Sequence, residues 1–409
     1  MLACRFPLVA AALPLVLLGA SSVPPENLAL RRLIEKGRHP AIRWGRFSDV
    51  QSGAKQLYGR NGWAPLWLAD NHPTQPARAL LDVFALAADR GLDPQDYDAA
   101  QLAALAANLD RGGADIEQAI RFDAALTIGA LRFSRALARG RISVREAGIR
   151  PGAAAVFDPV AVVESLRHAE RPEPVLGALE PPWSPYRDLK QALARYRQLS
   201  RDTVAPRSAR PEPAYQTRIR QMELALERWR WLPRTLGDRS LFVSVPAFRL
   251  EVPPWNDQPG PVRMNVRIGD GPCRQLQVVG EELRMLVFRP AAHSSMLVKF
   301  PLAGDIYFYG NSPEAIADPM EKGCVRVADP ELLAELLLRD RPDWTRERIR
   351  QAMAGNRQIF VRLKHAVPVL LVYGTAVAGG NGQVSFVSDA YGHDRRLDQL
   401  LRRGYPYPE

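Results

Sequence analysis

The residue in this sequence best suited to covalent chemistry is Cys324. Gly323 precedes it, which permits a tight turn, and the nearby cations Lys322 and Arg326 favour the thiolate, the form in which cysteine acts as a nucleophile. Cys273 lies in a Gly-Asp-Gly-Pro-Cys loop with a single adjacent cation. The spacing therefore favours Cys324 for thiol chemistry. A disulfide between the two cysteines is the alternative, since two cysteines in an oxidising compartment commonly pair.

The N-terminal residues predict the compartment. Met1 to Arg5 carry one positive charge, residues 6–18 are almost entirely apolar, and small residues follow at 19–22. This order is typical of a secretory signal peptide, assigned to residues 1–22, and an uncleaved anchor is the alternative. Cys4 precedes the apolar run, whereas a lipid-attachment cysteine would follow it. We therefore expect an exported, periplasmic protein with no membrane span in the mature chain.

The net charge narrows the choice of partner. The 409 residues include 55 Lys and Arg against 44 Asp and Glu, a formal charge of +11, and 46% are hydrophobic, as in a globular protein. This composition excludes a disordered or fibrous chain. Nucleic acid is not an expected partner of an exported protein, so the charge favours an anionic cell wall or membrane surface. We expect neither a metal nor a cofactor.

Two halves with different hydrophobic periods must position the cysteine. Residues 41–200 repeat apolar residues at helical spacing and predict a helical domain, in which Trp63 and Trp67 are either core anchors or a surface for stacking on sugars. Residues 236–409 change to short alternating or apolar runs between Pro and Gly, which predict a β-rich domain. The predicted fold class is therefore α+β.

The segment between the halves, residues 201–235, combines a linker with a helix. Residues 205–213 have the proline-rich composition of a stiff, extended connector. Apolar residues then follow 3-4-3 spacing up to Pro233, which would end the helix. Three large side chains near its end are expected to dock at the junction of the two halves, with a solvated face as the alternative: Arg228, Arg230 and Trp231.

Two runs in the C-terminal half, read in order, resemble one enzyme family. A strand-like run, Ile306-Tyr307-Phe308-Tyr309, ends in Gly310-Asn311-Ser312-Pro313, and Gly323-Cys324-Val325-Arg326 then leads into a helix with Asp329 as its N-cap. This order resembles the L,D-transpeptidases that cross-link peptidoglycan, with a YkuD-type catalytic domain. The run Glu-Arg-Trp-Arg-Trp-Leu-Pro at 227–233 is similar to the large Gram-negative subgroup, which has a helical scaffold domain before the catalytic domain.

The resemblance implies acyl transfer by a thiol. Cys324 would attack the carbonyl of a meso-diaminopimelate residue in a tetrapeptide stem of peptidoglycan, release the terminal D-alanine and pass the acyl group to an amine. The amides of Gly323 and Cys324 would form part of an oxyanion site, and Arg326 would either order the loop or hold a substrate carboxylate. β-Lactams of the carbapenem type are the implied inhibitors.

The sequence departs from the family where the catalytic base should be. The family has Ile-Tyr-Leu-His-Asp-Thr-Pro where this chain has residues 306–313, so Tyr309, followed by Gly310, takes the place of the histidine. A phenol with a pKa of ~10 is a poor base at neutral pH. His293 and His393 are the candidate surrogates, each with a surface or packing role as its alternative. The loss predicts a weakened transpeptidase or a relative that binds peptidoglycan or a partner without turnover.

Overall fold

The computed structural model describes residues 24–143, 157–202, 213–232, 234, 239–255, 260–269, 278–289, 295–302, 306–311, 325–379 and 382–407. The expected signal peptide, nearly all of the expected linker, and the residues Cys273, His293, Gly323 and Cys324 lie outside these ranges. The positions of Tyr309, Gly310, Arg326 and His393 are described.

The N-terminal half is built from helices around one long central helix. In chain order they are α1 (Pro25–Lys36), α2 (Gln51–Arg60), α3 (Gln75–Ala85), α4 (Ala99–Asp110), α5 (Ile116–Arg139), α6 (Pro159–His168), α7 (Glu173–Gly177), α8 (Ser184–Asp202) and α9 (Pro213–Trp229), with a short hairpin of β1 (Leu68–Ala69) and β2 (His72–Pro73). Helix α5 begins with a capping box between Asp115 and Gln118 and is buried along most of its length, so it forms the centre of the helical core.

The C-terminal half contains a closed eight-stranded barrel. Its elements are β3 (Leu241–Ser244), β4 (Arg249–Val252), β5 (Val262–Ile268), β6 (Val278–Phe288), β7 (Met296–Pro301), β8 (Tyr307–Asn311), β9 (Val325–Val327), α10 (Pro330–Leu337), α11 (Arg346–Ala354) and β10 (Ile359–Val372), followed by β11 (Ala376–Ala378), β12 (Val384–Phe386) and α12 (His393–Leu401). The barrel order is β10-β3-β4-β5-β9-β8-β7-β6. The pairs β8–β9 and β10–β3 are parallel and the other pairs are antiparallel.

The predicted α+β fold class is confirmed, because helices make up the N-terminal half and strands dominate the C-terminal half. The helix predicted after the cysteine motif is also confirmed: the Asp329 carboxylate accepts a hydrogen bond from the Leu332 amide, and Pro330 occupies the first turn. One strand prediction was wrong. The runs at 358–363 and 367–373 are one long strand, β10, because a register shift between Arg362 and Val367 lets the chain bend without leaving the sheet.

The last described residues join the core of the helical half. Leu397, Leu401, Tyr405 and Tyr407 are buried in the same hydrophobic cluster as α1 to α6. A separate cluster fills the barrel, and a third joins α8 and α9 to Ala376. The boundaries proposed from sequence, at 41–200, 201–235 and 236–409, stay predictions. No helix in the described part of the chain is long and apolar enough to cross a bilayer.

Candidate functional site

Strands β8 and β9 bring the two motif-bearing runs of the sequence side by side. They pair in parallel, with Phe308 opposite Val325 and Tyr309 opposite Arg326. Strand β9 begins at Val325, the residue that follows Cys324 in the chain. Tyr309 and Gly310 therefore lie on the strand next to Arg326. The predicted roles of Cys324, Gly323 and His293 concern residues outside the described ranges.

The pleat of the barrel decides which side chains face outward. Phe308, Val325 and Val327 lie in the core that fills the barrel. Because successive side chains of a strand point to opposite faces, Tyr309 and Arg326 lie on the outer face. The side chains of Tyr309 and Arg326 are therefore on the outside of the barrel wall.

Tyr309 is nonetheless well covered, with 8% of its surface exposed. The centroids of the Tyr309 and Tyr307 rings are 5.9 Å apart, and the residue paired with Tyr309 on β7 is Lys299. The ammonium group of Lys299 lies 4.0 Å from the centre of the Tyr307 ring, a cation–π contact. Tyr309 therefore has a cationic residue as its direct partner on each neighbouring strand, Lys299 on β7 and Arg326 on β9.

Gly310 has a packing reason to be glycine. A Cβ atom built on it would lie 2.1 Å from Cβ of Pro330, the first residue of α10. The missing side chain lets α10 approach β8, and so the helix after the cysteine motif is held against the strand before it.

A cavity of about 1040 Å³ opens beside Arg326. The strand residues along it include Asn265 and Arg267 of β5, Leu297 of β7 and Asn311 of β8, and its other wall comes from the first turn of α10 and the last turn of α11. Arg267 pairs directly with Arg326. Sequence reasoning missed Arg267; the available signal was the polar alternation of Arg263, Asn265 and Arg267 along a predicted strand.

His393 is the first residue of α12 and lies beside the residue that follows β10. Its ring packs edge-on against that of Tyr373, with 4.7 Å between centroids, and Tyr373 directly follows β10. Strand β10 is four strands from β9 in either direction around the barrel. The two strands run in opposite directions, so the last residues of β10 and the first residues of β9 lie at the same end of the barrel. The rings of Tyr373 and Tyr391 contact His393, and its role as a surrogate base stays a prediction.

The surroundings of His393 form a hydrogen-bonded cluster. The Tyr373 hydroxyl donates to Asp389 at 2.6 Å, and Asp389 also accepts from the amides of Asp394 and Arg395 at the start of α12. Burial, followed by the hydrogen bond to Asp389, raises the pKa of Tyr373 well above its usual value. Tyr373 therefore remains a neutral donor that fixes the start of α12.

The Glu-Arg-Trp-Arg-Trp-Leu-Pro run docks as expected at the junction. Arg228 is buried, pairs with Asp394 of α12, and lies 5.1 Å from the centre of the Tyr373 ring. Arg230 is buried on the helical side, where it donates to the Tyr186 hydroxyl and the Arg90 carbonyl. Trp231 is buried in the hydrophobic core of the helical half. The end of α9 therefore contacts both halves, and the docking prediction for Arg228, Arg230 and Trp231 is confirmed.

A second polar cluster, centred on Asp123 of α5, orders the tryptophan loop. Asp123 is fully buried and accepts from the Tyr58 hydroxyl and from the amides of Leu66 and Trp67. Trp67 is also fully buried, which confirms its interpretation as a core anchor; Trp63 is half-buried beneath the guanidinium of Arg31. Burial raises the pKa of Asp123 to about 6, although these hydrogen bonds oppose the shift.

Over the ranges that the structure describes, no three His, Cys, Asp or Glu side chains gather in a way that could hold a metal ion.

Comparison with known proteins finds similarity over part of the chain. A solved structure of Bdellovibrio bacteriovorus Bd1075 is 16% identical, with 41% of this chain and 56% of that chain covered, and a TM-score of 0.23. This chain thus spans little more than half of that protein. No curated protein matches. Residues 52–193 match the family model called Scaffold domain, the N-terminal scaffold of L,D-transpeptidases.

Proposed function

We propose that this protein is a periplasmic L,D-transpeptidase that cross-links peptidoglycan by acyl transfer through Cys324. The observation that carries the proposal is the match of residues 52–193 to the transpeptidase scaffold, followed by a barrel in which Tyr309 and Arg326 are direct partners. That pairing supports a site on the outer face of β8 and β9. The retained Gly323-Cys324-Val325-Arg326 motif supports the chemistry.

The reaction needs a thiolate and a proton donor. The Cys324 sulfur forms a bond to the carbonyl carbon of the third stem residue, the bond from that carbon to the D-alanine nitrogen breaks, and this nitrogen takes up a proton. An amine of a second stem then displaces the sulfur and restores the thiol. Arg326 is proposed to hold a carboxylate of the stem beside the reacting carbonyl.

Tyr309 makes the proposed enzyme slow. An unassisted thiol with a pKa of ~8.5 is only a few per cent ionised at pH 7, and losing general acid–base assistance costs roughly 10²- to 10⁴-fold. The second candidate function is binding of peptidoglycan or of a partner enzyme without turnover. The buried Tyr309 at the position of the family base favours it.

Two measurements test the first function against the second. Intact-mass spectrometry of the purified full chain after incubation with a carbapenem should show one covalent adduct, and chromatography after incubation with disaccharide-tetrapeptides should show released D-alanine and cross-linked dimers. Cys324→Ala should abolish all three signals, and Cys273→Ala is the matched control that should keep them.

Each outcome favours one candidate. Dimer formation that needs Cys324 supports the transpeptidase. Binding of the tetrapeptide without D-alanine release or a dimer supports the binding protein. A chain whose free-thiol count shows that both mature cysteines are oxidised would contradict the transpeptidase.

A further inference from the structure

Three cations and one phenol form a single row across four neighbouring strands. Arg267 of β5 pairs with Arg326 of β9, Arg326 pairs with Tyr309 of β8, and Tyr309 pairs with Lys299 of β7. Side chains of directly paired residues share one face of a sheet, with their Cβ atoms about 4.5–5.5 Å apart. Arg267 and Arg326 are thus immediate neighbours on the outer face of the barrel.

This arrangement lacks a counter-charge within the described residues. No carboxylate in the described part of the chain lies within ion-pair distance of Arg267 or Arg326. By contrast Arg263, four residues before Arg267 on the same face of β5, pairs with Glu251 at 2.8 Å. Like charges directly opposite each other destabilise a sheet, so the Arg267–Arg326 pair costs stability in the absence of a bound anion.

The acids nearest the pair are already engaged. Asp329 and Glu331 line the same cavity, but the Asp329 carboxylate caps α10 by accepting from the Leu332 amide. Glu331 accepts from Arg350 at 2.8 Å and from Arg346 at 3.0 Å. Neither acid is therefore the counter-ion of Arg267 or Arg326.

The cavity beside the pair suits a ligand larger than a simple ion. Its volume of about 1040 Å³ far exceeds the roughly 30 Å³ that one water occupies in the liquid. Asn265 lines it next to Arg267, and Leu297 adds an apolar surface. Two guanidinium groups, an amide and an apolar wall fit a carboxylate attached to an organic body.

We propose that Arg267 and Arg326 together bind the terminal carboxylate of a short peptide on the outer face of β5 and β9. The choice of peptide rests on the proposed function, but the binding itself needs neither the Cys324 thiol nor turnover. Arg267 then selects ligands by charge, a role separate from any chemistry at Cys324.

The test measures binding in Cys324→Ala protein, in which turnover cannot interfere. The probe is a synthetic tetrapeptide stem with a free C-terminal carboxylate, compared by calorimetry with the same peptide carrying a C-terminal amide. We expect the amide to bind at least about tenfold more weakly, the loss typical of one charge-assisted hydrogen bond. Arg326→Gln should weaken binding of the free-acid peptide by about tenfold. Arg267→Gln should weaken it by about threefold, because Arg267 is exposed.

Arg263→Gln is the matched control, because Arg263 lies on the same face of the same strand but already has a partner. It should leave the dissociation constant unchanged. Arg267→Gln should also raise the melting temperature of the free protein at low ionic strength, by removing the repulsion, and salt should erase this gain. A structural arginine would instead lower the melting temperature when replaced.

Several results would overturn the inference. They are equal affinity for the acid and the amide, an Arg267→Gln variant that binds normally, or inorganic phosphate titrated alone binding more tightly than the peptide. These outcomes are distinct from failure of the proposed function. Selective binding without D-alanine release would support the carboxylate site and contradict the transpeptidase. Release of D-alanine by Arg267→Gln at the full rate, with unchanged affinity, would support the transpeptidase and contradict the carboxylate site.

Discussion

Tyr309 is the residue at which packing and chemistry conflict. It pairs with Lys299 and Arg326 on the two neighbouring strands, at the position where the proposed mechanism needs a base. Two cations can stabilise an anion near the site, but they cannot accept the proton of a thiol. The ionised fraction of the Cys324 thiol is thus expected to depend on solvent pH, because no neighbouring base takes up its proton.

Replacing Tyr309 tests this expectation. Tyr309→His should speed carbapenem acylation at pH 7 by about tenfold or more, because an imidazole restores the base and only a few per cent of an unassisted thiol is ionised there. The native rate should rise toward alkaline pH, and the variant should be flatter. Stopped-flow acylation rates from pH 6 to 9, with Cys324→Ala as the blank, provide the measurement.

A fast native rate at pH 7 that is lost in His293→Ala or His393→Ala, but is unchanged in Tyr309→His, would contradict this prediction. It would show that another histidine supplies the base.

Asp123 gives the helical half a pH dependence of its own. Burial raises its pKa to about 6 in the folded protein, against about 3.9 in the unfolded chain, so the folded state binds the proton more tightly. The stability contributed by protonation is therefore present at low pH and lost as pH rises from about 4 to about 6. His39 opposes this: burial lowers its pKa to about 4, so its contribution is lost as pH falls from about 6.5 to about 4.

The difference between wild type and Asp123→Asn isolates the aspartate, because His39 is present in both. Asparagine turns an NH₂ group toward donors that the carboxylate accepts, and it should lower the free energy of unfolding by about 1–3 kcal/mol. The stability advantage of wild type should shrink as pH rises from 4 to 6. Urea unfolding at pH 4.5, 5.5 and 6.5 measures it, and an advantage that grows with pH would contradict the assigned pKa.

At the scale of elements, Gly310 of β8 lies against Pro330, the first residue of α10. The 13 residues between β8 and β9 are framed by Asn311 and Val325, and α10 begins at Pro330, which packs on Gly310. The missing Cβ of Gly310 therefore sets how closely α10 approaches β8.

Gly310→Ala should separate β8 and α10. The added Cβ would lie 2.1 Å from Pro330 Cβ, and because a proline ring cannot rotate away, we expect a loss of about 1–3 kcal/mol in unfolding free energy. Pro330→Gly should recover part of this loss in the double variant, measured by a denaturant double-mutant cycle.

Gly59→Ala is the control, since Gly59 lies in α2 and a Cβ added to it would meet no atom within 4 Å. It should stabilise the protein by roughly 0.5–1 kcal/mol. A neutral Gly310→Ala would show that the contact with Pro330 is easily relaxed.

At the scale of the whole molecule, α9 joins the helical half to the C-terminal half. On one side Glu227 accepts from the amides of Arg141 and Ile142, which follow α5. On the other side Arg228 pairs with Asp394, which also accepts from the Thr375 hydroxyl. Charged groups buried this completely stabilise only when paired, so this junction tolerates few substitutions.

Arg228→Met should lower the free energy of unfolding by about 3 kcal/mol, because it leaves Asp394 buried without its cation. Arg32→Met is the control at an exposed arginine of α1 and should change stability by less than about 0.5 kcal/mol. Guanidinium unfolding followed by both tryptophan fluorescence and circular dichroism measures the loss. An unchanged midpoint for Arg228→Met would show that the junction does not contribute to stability.

The sequence by itself determined the fold class and the local elements. Helical periodicity, the Asp329–Pro330 helix start and the alternation of Val262–Ile268 are local properties, set by backbone geometry and by which face a short segment buries. The short run that contains Tyr309 could also be assigned to a strand, and the run that contains Arg326 could be located by its motif, because both are local properties of the sequence. The docking of Arg228 and Arg230 was predictable because arginines beside tryptophans at the end of an amphipathic helix suit a junction.

The tertiary structure alone decided which distant residues meet. Strand order puts Arg267 opposite Arg326 across some 60 residues of chain, and register is fixed by burial of the whole barrel face, not by either residue. The capture of the Trp67 loop by Asp123 and the close approach of Pro330 to Gly310 are also long-range contacts. No local pattern encodes them, because each depends on how complete elements pack.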